Sequence, residues 1–137
     1  MNTSNIGTPA LPENPEAFLA AFESNFKSGD VGRVVAAYAA DALLNLGEGR
    51  QFKGHDQIRQ AIEQFMSAGL PISLSNPLAT TSGNTSVIFF DWKINGVASN
   101  GAGVDLHGRA MDVLKLGKDN QWRQLLDLPF GATTKSA

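Results

Sequence analysis

The sequence predicts a single α+β domain in which helices lead, a curved antiparallel sheet follows, and one apolar pocket lies between them. Three observations carry this. A length of 137 residues fits one domain. Apolar residues recur at helical spacing up to about residue 68 and mostly at a period of two beyond it. One strand in the second half places a carboxylate on its apolar face, where alternation points it at the core.

The first helix is expected over 15–27, where Phe18, Leu19, Phe22 and Phe26 share a face. Asn14 suits an N-cap, with Pro15 in the first turn. Gly29 suits the C-terminal cap and Asp30 the start of the next helix. That second helix is expected over 31–41, with Val31, Val34, Val35 and Tyr38 on its stripe. A hairpin follows, with strands over 42–46 and 50–53 joined by Gly47-Glu48-Gly49. A third helix over 55–68 presents Ile58, Ile62, Phe65 and Met66, and Gly69 and Pro71 end it.

From there the strands begin. One carries Ile72, Leu74 and Leu78. The next, over 87–94, places Ile88, Phe90, Trp92 and Ile94 inside. A long strand over 104–116 and a returning strand over 121–130 complete the sheet. The domain is expected over 15–131, with a flexible N-terminal tail over 1–14 and a C-terminal tail over 132–137. The first residues lack a basic n-region and an apolar h-region, so no signal peptide is expected.

Composition narrows the function classes. The chain is 42% hydrophobic and 18% charged, which supports a core and a solvated surface. It has no cysteine, so disulfide and thiolate chemistry are closed to it. A net charge of -2 lacks the basic footprint of a nucleic-acid binder. No apolar run approaches the roughly 18 residues of a membrane span. A cytoplasmic protein with neither a nucleic-acid nor a membrane partner is expected.

Two carboxylates are the candidate chemistry. On the strand over 104–116, Val104, Leu106, Gly108, Ala110, Asp112, Leu114 and Leu116 share one face. Asp112 alone on that face is charged, and a buried carboxylate costs several kcal/mol unless paired, hydrogen-bonded or protonated. It reaches water at a strand end, lines a pocket, or makes a structural hydrogen bond. Asp127 lies in an apolar stretch of the last strand, where Pro129 disturbs the ladder and leaves its direction open. Together the two form a candidate acid/base pair. His55 and His107 read as surface residues and have no metal-ligand spacing, so no metal site and no cofactor are expected. Trp92 and Tyr38 read first as core aromatics.

The element order, with Lys27-Ser28-Gly29-Asp30, Ala37-Tyr38-Ala39-Ala40-Asp41-Ala42, Phe52-Lys53-Gly54, Gly108-Arg109-Ala110-Met111-Asp112-Val113-Leu114-Lys115, Trp122-Arg123 and Leu126-Asp127-Leu128-Pro129-Phe130-Gly131, resembles the NTF2-like superfamily in its SnoaL-like and ketosteroid-isomerase-like branch. The resemblance implies a cystatin-like cone. In it a strongly curved antiparallel sheet wraps three N-terminal helices, a ligand pocket opens at the wide end, and dimers are frequent. Position by position, Asp112 falls where ketosteroid isomerase holds its protonated aspartic acid. Leu46, with Asn45 beside it, falls where the base would be, and Phe22 where the oxyanion tyrosine would be. Steroid isomerisation is therefore not expected.

Three functions remain open. One is a cofactor-independent isomerase, lyase or cyclase acting on a small apolar carbonyl compound, with Asp112 as acid, Asp127 as base, and Asn45 and Tyr38 orienting the substrate. The second is a non-catalytic binder of a hydrophobic ligand. The third is a dimeric association module. The expected ligand-binding residues are Phe22, Tyr38, Asn45, Leu46, Phe65, Phe90 and Trp92. The outer sheet face, with Val87, Phe89, Met111 and Val113, is the expected homodimer surface. Arg109 and Lys115 against Asp91 and Asp105 supply the charges for self-complementation.

Overall fold

The structure, a computed structural model, describes residues 9–131. A 3-10 turn, Pro15–Ala17, opens the helical half, and its Asn14 side chain accepts from the Ala17 N–H. Helix α1 is Phe18–Lys27, α2 is Val31–Ala36 and α3 is Gly54–Met66. The strands are β1 (Tyr38–Asn45), β2 (Gln51–Lys53), β3 (Ser73–Ser82), β4 (Thr85–Val97), β5 (Gly103–Leu116) and β6 (Trp122–Leu128). They form one sheet in the order β2-β1-β6-β5-β4-β3. All neighbours are antiparallel except β1 and β6, which run parallel. No helix among the described residues is long and apolar enough to cross a membrane.

Gly29 ends α1 in the left-handed region at φ 76°, where a residue without a Cβ is favoured. The chain turns at once into α2, whose N-cap Asp30 accepts from the Gly32 N–H at 2.9 Å. Against expectation, α2 stops at Ala36 and Tyr38 begins a strand. Local alanine propensity favours helix here, but the sheet overrides it. Gln124 of β6 donates its N–H to the Ala37 carbonyl at 3.1 Å, and Tyr38 pairs with Gln124.

The helices lie on one face of the sheet. Helix α1 touches β3 at one margin, while α3 touches β1 and β2 at the other. Between them lies the core, which includes Phe18, Phe26, Val34, Tyr38, Leu44, Ile58, Ile62, Ile88, Phe90, Trp92, Leu114 and Trp122. The expected inner faces of β4 and of the second half of β5 are buried. The first half of β5 departs from expectation, for it leaves Leu106 43% exposed although its register partner Ile94 is buried.

The N-terminal tail is shorter at its inner end than expected. The Ala10 backbone exchanges two hydrogen bonds with the Asn25 side chain, and the Pro12 carbonyl accepts from the Trp122 N–H. Residues 1–8 and 132–137 lie outside the described residues. Asp91 and Arg109, expected to meet a second copy, oppose each other in register and pair within the chain at 2.9 Å.

Candidate functional site

Strand β5 alternates without interruption from Ala110 to Leu114, so Asp112 points inward and is fully buried. Strand β6 does not alternate. Val113 pairs with Leu126 and Leu114 with Gln124, which leaves Leu125 as an extra residue in a bulge. The bulge turns the parity of the strand. Trp122 and Gln124 face inward before it, and Asp127 faces inward after it. Asp127 then stands directly opposite Asp112. The expected disturbance near Pro129 thus lies four residues earlier, at Leu125.

A third strand completes the polar cluster. Tyr38 on β1 is buried, and its hydroxyl donates to Asp127 Oδ2 at 2.5 Å. Gln124 donates from Nε2 to Asp112 Oδ2 at 2.9 Å and to Asp127 Oδ2 at 3.3 Å. His55 Nε2 lies 2.8 Å from the Tyr38 carbonyl, so this half-buried residue holds the Tyr38 backbone and is not the surface histidine expected. His107 is exposed beside Asp105 and remote in role from the cluster.

Burial dominates the electrostatics. It pushes the Asp112 carboxyl well above the ordinary value, and the adjacent Asp127 charge pushes it further. Burial also raises Asp127, but hydrogen bonds from Asp112, Tyr38 and Gln124 stabilise its charge and oppose the rise. Burial, then the nearby carboxylates, raises the Tyr38 phenol, which keeps it a neutral donor. Both carboxyls are thus held above the ordinary value, Asp112 by burial and its neighbour's charge and Asp127 by burial, and the two titrate as one unit.

The carboxyls, with Tyr38 and Gln124, sit in the wall of an otherwise apolar cavity of about 40 Å³. Helix α1 contributes Phe22 and Phe26, α3 Ile62 and Phe65, and the sheet Leu44, Leu74, Phe90, Trp92 and Ala110. On a scale where one water needs roughly 10–15 Å³, this is room for a group of a few atoms. Trp92 offers no donor to a ligand, because its indole N–H is bonded to the Pro129 carbonyl at 2.7 Å. That contact passes over Gly108, where an added Cβ would come within 3.0 Å of both partners.

Of the expected site residues, Phe22, Tyr38, Phe65, Phe90, Trp92, Asp112 and Asp127 lie around this one cavity. Asn45 and Leu46 do not line it. Strand β1 turns Ala42 and Leu44 inward and then leaves the sheet. Asn45 Oδ1 accepts from the Gly47 N–H at 2.8 Å and fixes the turn, while Leu46 packs at the core margin. Leu44 is the β1 residue in the wall. Gln124 joins the site without being a candidate on the sequence, although alternation from Trp122 places it inside. Among the described residues, no cluster of three side chains suits a metal ion.

Comparison with known proteins agrees with this architecture. A family model described as a SnoaL-like domain matches residues 16–125. No curated protein matches the sequence at a significant level. Among solved structures, a ketosteroid isomerase-like protein from Erwinia carotovora atroseptica superposes with a TM-score of 0.69 at 18% identity, over 82% of this chain and 89% of its own. An NTF2-like protein with a cystatin-like fold from Novosphingobium aromaticivorans gives 0.70 at 17%, over 85% and 80%. A protein assigned as a calcium/calmodulin dependent protein kinase II association domain from Xanthomonas campestris gives 0.68 at 17%, over 87% and 89%. At these identities the likeness is one of fold.

Proposed function

The chain belongs to the SnoaL-like branch of the NTF2-like superfamily, and from that premise we propose that it is a cofactor-independent acid–base enzyme acting on a small, apolar carbonyl compound. The observation that carries the reading is the facing of Asp112 and Asp127 in the wall of an apolar cavity, with unequal hold on one proton. Asp127 is the base. It carries the charge, because the Tyr38 hydroxyl and the Gln124 amide both donate to it. Asp112 holds the proton and is the acid of the pair. Tyr38 orients Asp127. The aromatic walls exclude water and hold the carbon skeleton, which strengthens the charged interactions within. Proton removal beside a carbonyl is the step common to isomerases, lyases and cyclases of this kind.

The test needs no natural substrate. Acetone and butanone are incubated with the protein in deuterated water, and exchange beside the carbonyl is followed by NMR. Exchange above the buffer rate is expected, with a loss of about a hundred- to ten-thousand-fold in Asp127→Asn, the usual range for a general base. Binding without exchange would establish the hydrophobic-ligand binder instead. Neither binding nor exchange across a panel of small ketones and aldehydes would overturn the pocket reading.

A second reading, homodimeric association, rests on the opposite face of the sheet. Leu78, Phe89, Met111 and Leu128 form one cross-strand row there, beside Val87, Val113 and Leu126. The two readings are compatible, since they use opposite faces.

A further inference from the structure

Gln124 is neutral, yet among the described residues only its side chain donates to both carboxyls of the pair. It is 1% exposed. Its backbone is fixed on both sides, opposite Leu114 on β5 and opposite Tyr38 on β1. An amide NH2 has two hydrogens, and these serve the contacts at 2.9 and 3.3 Å. The reversed amide would set its oxygen against the ionised carboxyl of the pair, which disfavours that orientation. In that orientation Gln124 Oε1 is buried without a partner. Leaving a buried acceptor unpaired is unfavourable, so packing alone does not account for an amide at this position.

We propose that Gln124 is the positioning residue of the Asp112–Asp127 pair: its two N–H groups hold the carboxyls together and keep one of them ionised. The proposal rests on the acid–base reading of the pair but on no particular substrate. Without donors, burial favours two protonated carboxyls, and a protonated Asp127 is no base. Tyr38 supplies a donor to Asp127 alone. The titratable groups facing the site are Tyr38 on β1, Asp112 on β5 and Asp127 on β6, while α1, α3, β3 and β4 bring only apolar and aromatic side chains to the cavity. On its other side Gln124 borders a small void walled by residues such as Phe18, Asn25 and Trp122, with no titratable group. The donor that joins the two carboxyls is therefore Gln124.

The test is a carbon-13 NMR titration of aspartate side-chain carboxyls in the ligand-free full-length protein, comparing wild type with Gln124→Met, Gln124→Glu and Tyr38→Phe. Methionine keeps the length and removes both donors. Gln124→Met is expected to move the ionisation of the pair to higher pH by about one to two units, the size of one lost hydrogen bond to a charged group, and to move both carboxyls. Tyr38→Phe is expected to move chiefly Asp127. Gln124→Glu keeps the shape, takes up one extra proton, retains one donor in place of two, and is expected to give a smaller rise. A folded Gln124→Met protein whose titration overlays the wild type, or shifts at Asp127 alone, overturns the proposal. If the methionine variant does not fold, an unchanged titration in Gln124→Glu overturns it. Failure of the ketone exchange assay would instead overturn the catalytic reading and leave the titration result standing.

Discussion

Asp112 and Asp127 stand directly opposite each other across β5 and β6 with no lysine, arginine or histidine among the residues lining their cavity. A pair buried in this way holds one charge at most near neutral pH, because two adjacent carboxylates in an apolar setting cannot both ionise cheaply.

That relationship makes stability depend on pH through Asp112. Its carboxyl is raised in the folded protein, so the folded state binds more protons than the unfolded state above the unfolded value of about 3.9. Stability from this group is full below that value and is lost as pH rises towards the raised folded value. Asp112→Asn removes the effect. Urea unfolding at several pH values should show the Asn variant gaining on wild type from about pH 4 upward, at no more than about 1.4 kcal/mol per pH unit. A gap between wild type and Asn that does not change with pH would refute the raised carboxyl.

Tyr38→Phe removes a donor from the ionised carboxyl and leaves the ring in place. The expected loss is about 1–3 kcal/mol at pH 7, the range for a buried acceptor deprived of its partner. The loss should shrink as pH falls, because protonation of Asp127 removes the charge that the phenol stabilises. Urea melts of both proteins at pH 7 and pH 5 check the direction.

Asp112 was legible in the sequence because β5 is regular through it, so period two alone sends it inward. Asp127 was not, because a single extra residue at Leu125 reverses the parity before it, and nothing in Gln124-Leu125-Leu126 marks which residue bulges. Tyr38 reads as helical because it continues the stripe of Val31, Val34 and Val35 at helical spacing. Its strand depends on β6, which lies far along the chain. Asn45 and Leu46 were assigned by analogy of position, and the turn at Gly47 carries both away from the cavity that Leu44 lines. The family and the cone were readable from element order. Tyr38, Asp112 and Asp127 are candidates on the sequence alone, whereas Gln124 and the direct facing of the two carboxyls are not, since three strands assemble the cluster.

The protein should not isomerise Δ5-3-ketosteroids at an enzymatic rate. A cavity of about 40 Å³ admits a few atoms and not a four-ring skeleton. Phe22, in its wall, has no hydroxyl to serve as an oxyanion donor, and the one tyrosine present already donates to Asp127. Absorbance of the conjugated enone product is the measurement. Turnover above about 1 s⁻¹, near the low end for enzymes, would show that the cavity opens widely and that Asp127 serves as a steroid base.

The outer face of the sheet should join two copies of the chain. Leu78 is 61% exposed, and the cross-strand row it begins runs through Phe89 and Met111 to Leu128. A continuous apolar row across four strands is larger than scattered surface residues explain. Arg109 and Asp91 beside it are already paired with each other, so the contact gains its free energy from apolar burial and little from charge. A two-fold axis through Phe89 and Met111 would lay the row against its own copy. Light scattering at micromolar concentration should give twice the chain mass, with little dependence on salt. Phe89→Glu should give the monomer mass, because a carboxylate at the centre of such a contact would be buried without a partner. The cavity lies on the opposite face, so the Phe89→Glu monomer should keep the ketone exchange of the dimer. A wild-type monomer at these concentrations would remove association from the functions of this face.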